Sequence, residues 1–265
     1  MAAEIKEENK ISTARACRIV SMDRSMFYYD SIKDDTELEE RLRFYAQKLP
    51  SRGCPEYTKR MRKEGYNWNH KRVERVYNKL GMNKRKRKVK RRIPNPEKKV
   101  LLQPIKQNIT WSADFMEDRL ENGRKVRIFN VIDDYNREAL LCEPAFSFPS
   151  ERVVELFQQL IEWYGKPENI RTDNGTEFIA KAFEGFCKNS QVTHLRIQKG
   201  KPMQNGYVER FNRTFREDVL DAIIFENLNQ MRGHIEDWME DYNNEHPHSS
   251  LGDCSPIEFK KRKIA

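Results

Sequence analysis

Three acidic residues stand out for where they fall in the chain. Asp114 lies in the short alternating run Ile109–Phe115, Asp173 follows the short strand-like run Ile170–Thr172, and Glu209 sits inside the helical run Met203–Leu220. Thirty-five residues separate Asp173 from Glu209. Carboxylates on three separate elements can converge, and hard divalent cations such as Mg²⁺ take carboxylate oxygens. A pair of such ions can activate water or a 3′-hydroxyl and stabilise the leaving oxygen of a phosphodiester. Spacing alone does not establish this in a chain whose residues are 34% charged.

Each acid also has a plainer reading. Asp114 could be a surface residue of an edge strand, although a carboxylate on a central strand beside Trp111 and Ser112 is unusual because its burial is costly. Asp133 and Asp134 compete with it, but they end the second strand-like run just before Asn136 and read as turn residues. Asp173-Asn174-Gly175 is a common turn tripeptide. At the end of a sheet strand, however, its carboxylate would project into a crevice. Glu209 shares a helix face with Asn205 and Arg213. An exposed Glu209–Arg213 pair explains that spacing but leaves Gly200-Lys201-Pro202 and Asn205-Gly206 unexplained.

Strands and helices must position these acids. Ile109–Phe115, Val126–Ile132 and Ala139–Phe146 read as strands, the first two joined by an Asn122-Gly123 hairpin signal. A helix starts at Ser150 and ends at Gly165. Ile170–Thr172 is then a strand, Phe178–Cys187 a helix, Val192–Ile197 a strand, Met203–Leu220 a long helix, and 227–242 a further helix. Antiparallel strands followed by alternating helices and strands give an α/β layout with a mixed five-stranded sheet.

The front of the chain reads differently. Residues 1–10 are polar and read as loose, and Ile11–Asp30 has the rhythm of two short helices around Ser21-Met22-Asp23. Helices are predicted over Thr36–Leu49, Pro55–Glu64 and His70–Leu80, with Pro55 in a first turn, Asn69 as an N-cap and Gly65 and Gly81 as stops. In the last of these, Val73, Val76, Tyr77 and Leu80 form the apolar stripe, and Lys71, Arg72, Arg75 and Lys79 occupy the other face. That basic face suits a helix reading a DNA groove or a merely solvated surface. The cationic run Lys84, Arg85, Lys86, Arg87, Lys88, Lys90, Arg91 and Arg92 favours the former. It opens a Pro-containing linker suited to tracking phosphates.

The bulk properties agree with a polyanionic partner: 265 residues carry a formal charge of +9, with a pI near 9.2. Mean hydropathy is −0.92, and no apolar run approaches the length of a membrane span. The charged start lacks the apolar region of a secretory signal, leaving an intracellular protein as the default. Five scattered cysteines without a CxxC argue against a disulfide framework and for a reducing compartment.

Several words occur together in order: Asp173-Asn174-Gly175, Lys201-Pro202-Met203-Gln204-Asn205-Gly206, Glu209-Arg210-Phe211-Asn212-Arg213, Asn243-Asn244-Glu245-His246-Pro247-His248-Ser249-Ser250-Leu251-Gly252 and Ser255-Pro256-Ile257-Glu258-Phe259. Together they resemble the DDE catalytic core and C-terminal signature of insertion-sequence transposases of the retroviral-integrase superfamily, downstream reading-frame type. The resemblance covers most of residues 105–260 and implies a ribonuclease-H-like α/β core behind a small all-α helix-turn-helix region. The expected domains are a helix-turn-helix-like segment (1–35), a DNA-binding domain (36–82), a basic linker (83–107), the catalytic core (108–222) and a helical extension (223–265).

The resemblance implies a DNA transposase that cleaves at element ends and transfers the freed 3′-hydroxyl into DNA. It assigns Asp114, Asp173 and Glu209 as catalytic metal ligands for two Mg²⁺ or Mn²⁺ ions, with Asp114 bridging. It further implies DNA contacts from Asn174, Lys199, Lys201, Gln204, Asn205 and Arg210, joined by Arg213 on the Glu209 face. Expected partners are terminal inverted repeats and target DNA, a homodimer or larger synaptic assembly, and an upstream-frame fusion partner, in a bacterial cytoplasm at the nucleoid. A non-catalytic DNA-binding regulator and a ribonuclease-H-type nuclease are the rival readings. The acidic triad speaks against the first, and the Lys199–Arg213 loop and helix against the second. The role of His246 and His248 does not follow from the sequence.

Overall fold

The hairpin signal at Asn122-Gly123 starts a sheet. Gly123 turns with φ +80°, a left-handed conformation that favours glycine, and its N–H donates to the Leu120 carbonyl at 2.8 Å. The structure, a computed structural model, describes residues 2–28, 34–83, 103–197 and 205–264, except for the side chains of 263 and 264. Strands β1 (Thr110–Arg119) and β2 (Lys125–Asp133) flank the turn, and β3 (Ala139–Ala145) extends them antiparallel. Helix α7 (Ser150–Tyr164) crosses to β4 (Asn169–Thr172), parallel to β1, and β5 (Thr193–Arg196) adds parallel to β4. The order β3-β2-β1-β4-β5 makes the mixed five-stranded sheet expected above and leaves β1 central.

Each face of the sheet has its own apolar core. Alternation along β1 sends Trp111, Ala113 and Phe115 to one side, where Phe129, Leu156, Phe157 and Phe183 pack with them. Met116 goes to the other side with Ile128 and Ile132, covered by Phe211 and Phe215 of α10 (Gly206–Phe215) and by Met231 and Ile235 of α11 (Leu228–Asn244). Asp114 shares the parity of Met116, so it faces α10.

Two helices depart from their expected spans. The run read as Phe178–Cys187 is split into α8 (Thr176–Ile179) and α9 (Lys181–Asn189) by Ala180, whose extended φ −67° and ψ 147° interrupt the turn. The long helix ends its α-helical part at Phe215 and widens into a π-helical stretch, Arg216–Leu220. Helix α12 (Pro256–Ile264) closes the chain.

The chain divides into two compact units, Met1–Glu40 and Arg41–Ala265. In the first, the residues expected to be loose instead form α1 (Ala2–Glu8), whose buried Ala2 lets a largely polar helix pack on α2 (Thr13–Ile19). Ser12 caps α2, its Oγ accepting the Arg15 N–H at 3.4 Å, and α3 (Arg24–Phe27) follows Asp23. Helix α4 (Thr36–Lys48) ends before Pro50, and the second unit continues with α5 (Cys54–Lys63) and α6 (His70–Lys79). Asn69 caps α6 by accepting the Lys71 N–H at 2.9 Å. The α6 stripe of Val73, Val76 and Tyr77 is buried, while Lys71 and Arg75 are exposed.

An ionic seam joins α5 to the C-terminal helices within this second unit. Arg60 is only 4% exposed and makes a two-pronged contact with Asp241, at 3.0 and 2.7 Å. Lys48 reaches the same carboxylate at 2.9 Å. Lys59 pairs with Asp253 at 2.6 Å, Lys63 with Glu258 at 2.6 Å, and Arg52 and Ser51 both bond Asp218. Glu56 meets His246 Nδ1 at 3.2 Å. Burial pushes the Glu56 and Asp241 carboxyls up, but His246 on the first and Arg60 on the second more than offset this, holding both below the ordinary range.

Candidate active site

Asp114 is set in the middle of β1, opposite Asn130 of β2. Its Oδ1 accepts the Phe115 N–H at 2.9 Å, and its Oδ2 accepts Asn212 Nδ2 at 2.8 Å. Asn212 in turn accepts Asn130 Nδ2 at 2.8 Å, so a chain of two buried amides spans from β2 through α10 to the carboxylate. Asn212 lies one helical turn beyond Glu209, and the rigid helix that orients the amide also carries the second acid. Neither asparagine was singled out from the sequence. The available signals were an amide amid the apolar residues of β2 and the one-turn spacing to Glu209.

Asp173 leaves β4 at its C-terminal end and is exposed. Its Oδ1 accepts the Gly175 N–H at 3.0 Å, and Asn174 Nδ2 donates to the Ile197 carbonyl at 2.9 Å, tying the turn to the end of β5. Gly175 packs closely here: a Cβ there would lie 3.1 Å from both Asp173 Oδ1 and Glu177 Oε2, and these carboxylates would have to give by a few tenths of an ångström. Behind it, Glu177 pairs with Arg127, whose guanidinium lies 4.2 Å from the Phe115 ring centroid. The turn is therefore anchored to the same two strands that hold Asp114 and Asn130.

Asp114 feels both of the other acids. Burial is the main cause that raises Asp114 from 3.8 to about 6, and the nearby charges of Asp173 and Glu209 raise it further against the pull of the Phe115 and Asn212 hydrogen bonds. Burial also raises Glu209. Among the described residues, no three or more His, Cys, Asp or Glu side chains are gathered tightly enough to form a ready metal cage. Among the described residues, the hydrogen bonds to the Asp114 carboxylate come from two neutral donors, the Phe115 N–H and the Asn212 amide.

The competing acids have structural partners. Asp133 accepts the Asn108 and Tyr135 N–H groups at 2.9 and 2.8 Å, and the buried Asp134 is bonded by Arg171. Among the other expected site residues, Arg213 pairs with Glu217 at 2.9 Å, one turn onward, rather than with Glu209. Asn205 is buried and Arg210 exposed. Lys199, Lys201, Gln204 and the run Lys84–Arg92 lie outside the described residues.

Two family models, each described as Integrase core domain, match residues 105–202 and 190–256. A 31.7 kDa protein of insertion element IS407 from Burkholderia multivorans is 36% identical over 98% of this chain and 95% of its own length. The chain therefore belongs to the integrase-core family of insertion-element transposases. A 39.2 kDa protein of insertion element IS476 from Xanthomonas euvesicatoria is 34% identical over 96% of this chain and 73% of its own. The InsK protein of insertion sequence element IS150 from Escherichia coli is 23% identical over 92% of each chain. Among solved structures, the HTLV-2 integrase catalytic core domain in complex with magnesium is similar with a TM-score of 0.46 and 21% identity, over 59% of this chain and 98% of that one. Among the described residues, no helix is long and apolar enough to cross a membrane.

Proposed function

We propose that this protein is a DNA transposase that cuts a phosphodiester at an element end and joins the freed 3′-hydroxyl to a second phosphodiester. The observation that carries this reading is the placement of Asp114 on central β1, Asp173 at the end of β4 and Glu209 on α10, the helix docked beside Asp114, within an integrase core. Asp114, Asp173 and Glu209 would hold two Mg²⁺ or Mn²⁺ ions, which supply activation of water or a 3′-hydroxyl and stabilise the leaving oxygen. The Asn130–Asn212 chain holds Asp114 Oδ2 from the side of α10. Asn174 and Gly175 set the Asp173 turn, and Phe211 and Phe215 seat the helix bearing Glu209 on the sheet.

Binding of the element's terminal repeat and of target DNA falls to basic surfaces. Residues 36–82 serve as the DNA-binding domain, with Lys71, Arg72 and Arg75 on the reading face of α6, and the run Lys84–Arg92 adds phosphate contacts. Asn174, Lys199, Lys201, Gln204, Asn205, Arg210 and Arg213 guide the strand at the acids. Two element ends must be joined, so the working form is a dimer or larger assembly, with an upstream-frame partner available to it. Strand cleavage and joining on a labelled duplex carrying the element's end tests the proposal. Metal-dependent nicking and joined products are expected from the wild type and not from Glu209→Gln. Equal activity in the two proteins would remove Glu209 from the site.

A further inference from the structure

A cavity of about 820 Å³ lies beside α10, lined by Arg52, Arg137, Tyr207, Glu209, Arg210 and His248 among others. Glu209 belongs both to this cavity and to the acid cluster, so the two spaces adjoin along one helix. The volume falls within the roughly 300–1,000 Å³ of pockets that enclose cofactor-sized ligands.

Its lining is chemically unfinished. Arg137 is 6% exposed, and its guanidinium lies 3.5 Å from the Tyr207 ring centroid. Arg137 Nη1 is buried without a hydrogen-bond partner among the described residues, and so is His248 Nε2. Burial works against the Arg137 cation and favours the neutral form of the His248 ring. Buried polar nitrogens left without partners are costly, and a guanidinium donor and an imidazole nitrogen on one cavity wall mark a place for a polar ligand. Arg52 gives its Nη2 to Asp218, although its Nε is also buried without a partner among the described residues, and Arg137 and Arg210 are the other arginines of the lining.

The occupant must match a stacked guanidinium, an imidazole able to read a polar edge, and an exposed arginine at the rim. A planar base on the Arg137–Tyr207 stack, its edge at His248 and its phosphate at Arg210, meets all three. We propose that this cavity receives one unstacked nucleotide of the DNA strand whose neighbouring phosphate lies at the acid cluster. The inference rests on the transposase reading and adds to it the means of holding the strand end.

A 2-aminopurine scan across the cleavage site tests it. One position is expected to brighten several-fold on binding wild-type protein, and Arg137→Gln and the cavity-filling Thr214→Phe should abolish that gain. Thermal melting checks that both variants fold, and Arg137→Lys, which keeps the charge, should retain part of the signal. Cleavage by the wild type with no brightening at any position, or equal brightening in the variants, would overturn the assignment. A titration with deoxyadenosine monophosphate, followed by the His248 ring resonances, separates this from failure of the transposase reading. A saturable shift lost in Arg137→Gln, in a protein that cuts no DNA, would keep the cavity's assignment as a nucleotide site and remove the reading. No shift in such a protein would remove both. The same shift with inorganic phosphate alone would make the cavity an anion site and overturn the nucleotide assignment.

Discussion

The ionic seam and the partly buried Asp114 of the acid cluster handle charge in opposite ways. In the seam, Arg60, Asp241, Glu56 and His246 each face an opposite or complementary partner, and Asp241 is held below the ordinary carboxylate range despite its burial. In the cluster, Asp114 has two neutral donors and two like charges nearby among the described residues, and burial above all raises its pKa to about 6. Folding alone would favour the first arrangement everywhere. A carboxylate whose pKa is raised by burial and like charge is the kind of group that gathers at functional sites, which is what the proposed reading makes of it.

Removing an acid should separate activity from stability. Glu209→Gln or Asp173→Asn is expected to lower strand cleavage by about 10³-fold or more, the loss of several kcal/mol of charge stabilisation, while urea unfolding stays unchanged or improves. A parallel loss of stability would mean that the acids are structural. The seam should respond in the reverse sense. Arg60→Ala leaves Asp241 and Glu56 without their shared cation and is expected to cost about 3–5 kcal/mol in urea unfolding. A cost below about 1 kcal/mol would place it with exposed ion pairs of little consequence.

Smaller effects sharpen the contrast. Asn212→Leu takes the amide from Asp114 and is expected to reduce cleavage by about 10–100-fold. Because that hydrogen bond lowers the Asp114 pKa, the acid limb of the pH–rate profile should also move upward. An unshifted limb would detach Asn212 from the carboxylate's ionisation. Asp114→Asn is expected to stabilise the fold by about 1–2 kcal/mol at pH 7.5. The folded wild type has the raised pKa, about 6 against 3.8, so its stability is fullest below pH 3.8 and is lost as pH rises to 6. The variant's advantage should therefore grow between those values and vanish near pH 4. Asp133, also raised to about 6, is common to both proteins and cancels. A constant difference across pH would point to packing instead.

Much of this arrangement was legible in the sequence because it is local. Alternation, the Asn122-Gly123 turn and the capping residues placed the five strands and most helices within a few residues. The acid positions stand out by their place within a strand, at a strand end and on a helix. Other features depend on residues far apart in the chain. Arg60 and Asp241 are 181 positions apart, and no spacing rule joins them. Asn130 reaches Asp114 only through Asn212, so the amide chain exists only after α10 has docked on the sheet. The break at Ala180 is equally hidden, because Lys-Ala-Phe-Glu continues the same helical pattern on either side. In α1, a short apolar edge sufficed to form a helix from residues whose composition reads as loose.

The claim that Asp114, Asp173 and Glu209 form one cation-requiring cluster is tested most directly by melting the protein across a Mn²⁺ titration. The wild type is expected to gain on the order of 3–6 °C in Tm with saturation. Asp173→Asn combined with Glu209→Gln should show little or no gain. An equal gain in both proteins, or none in the wild type, would contradict the account.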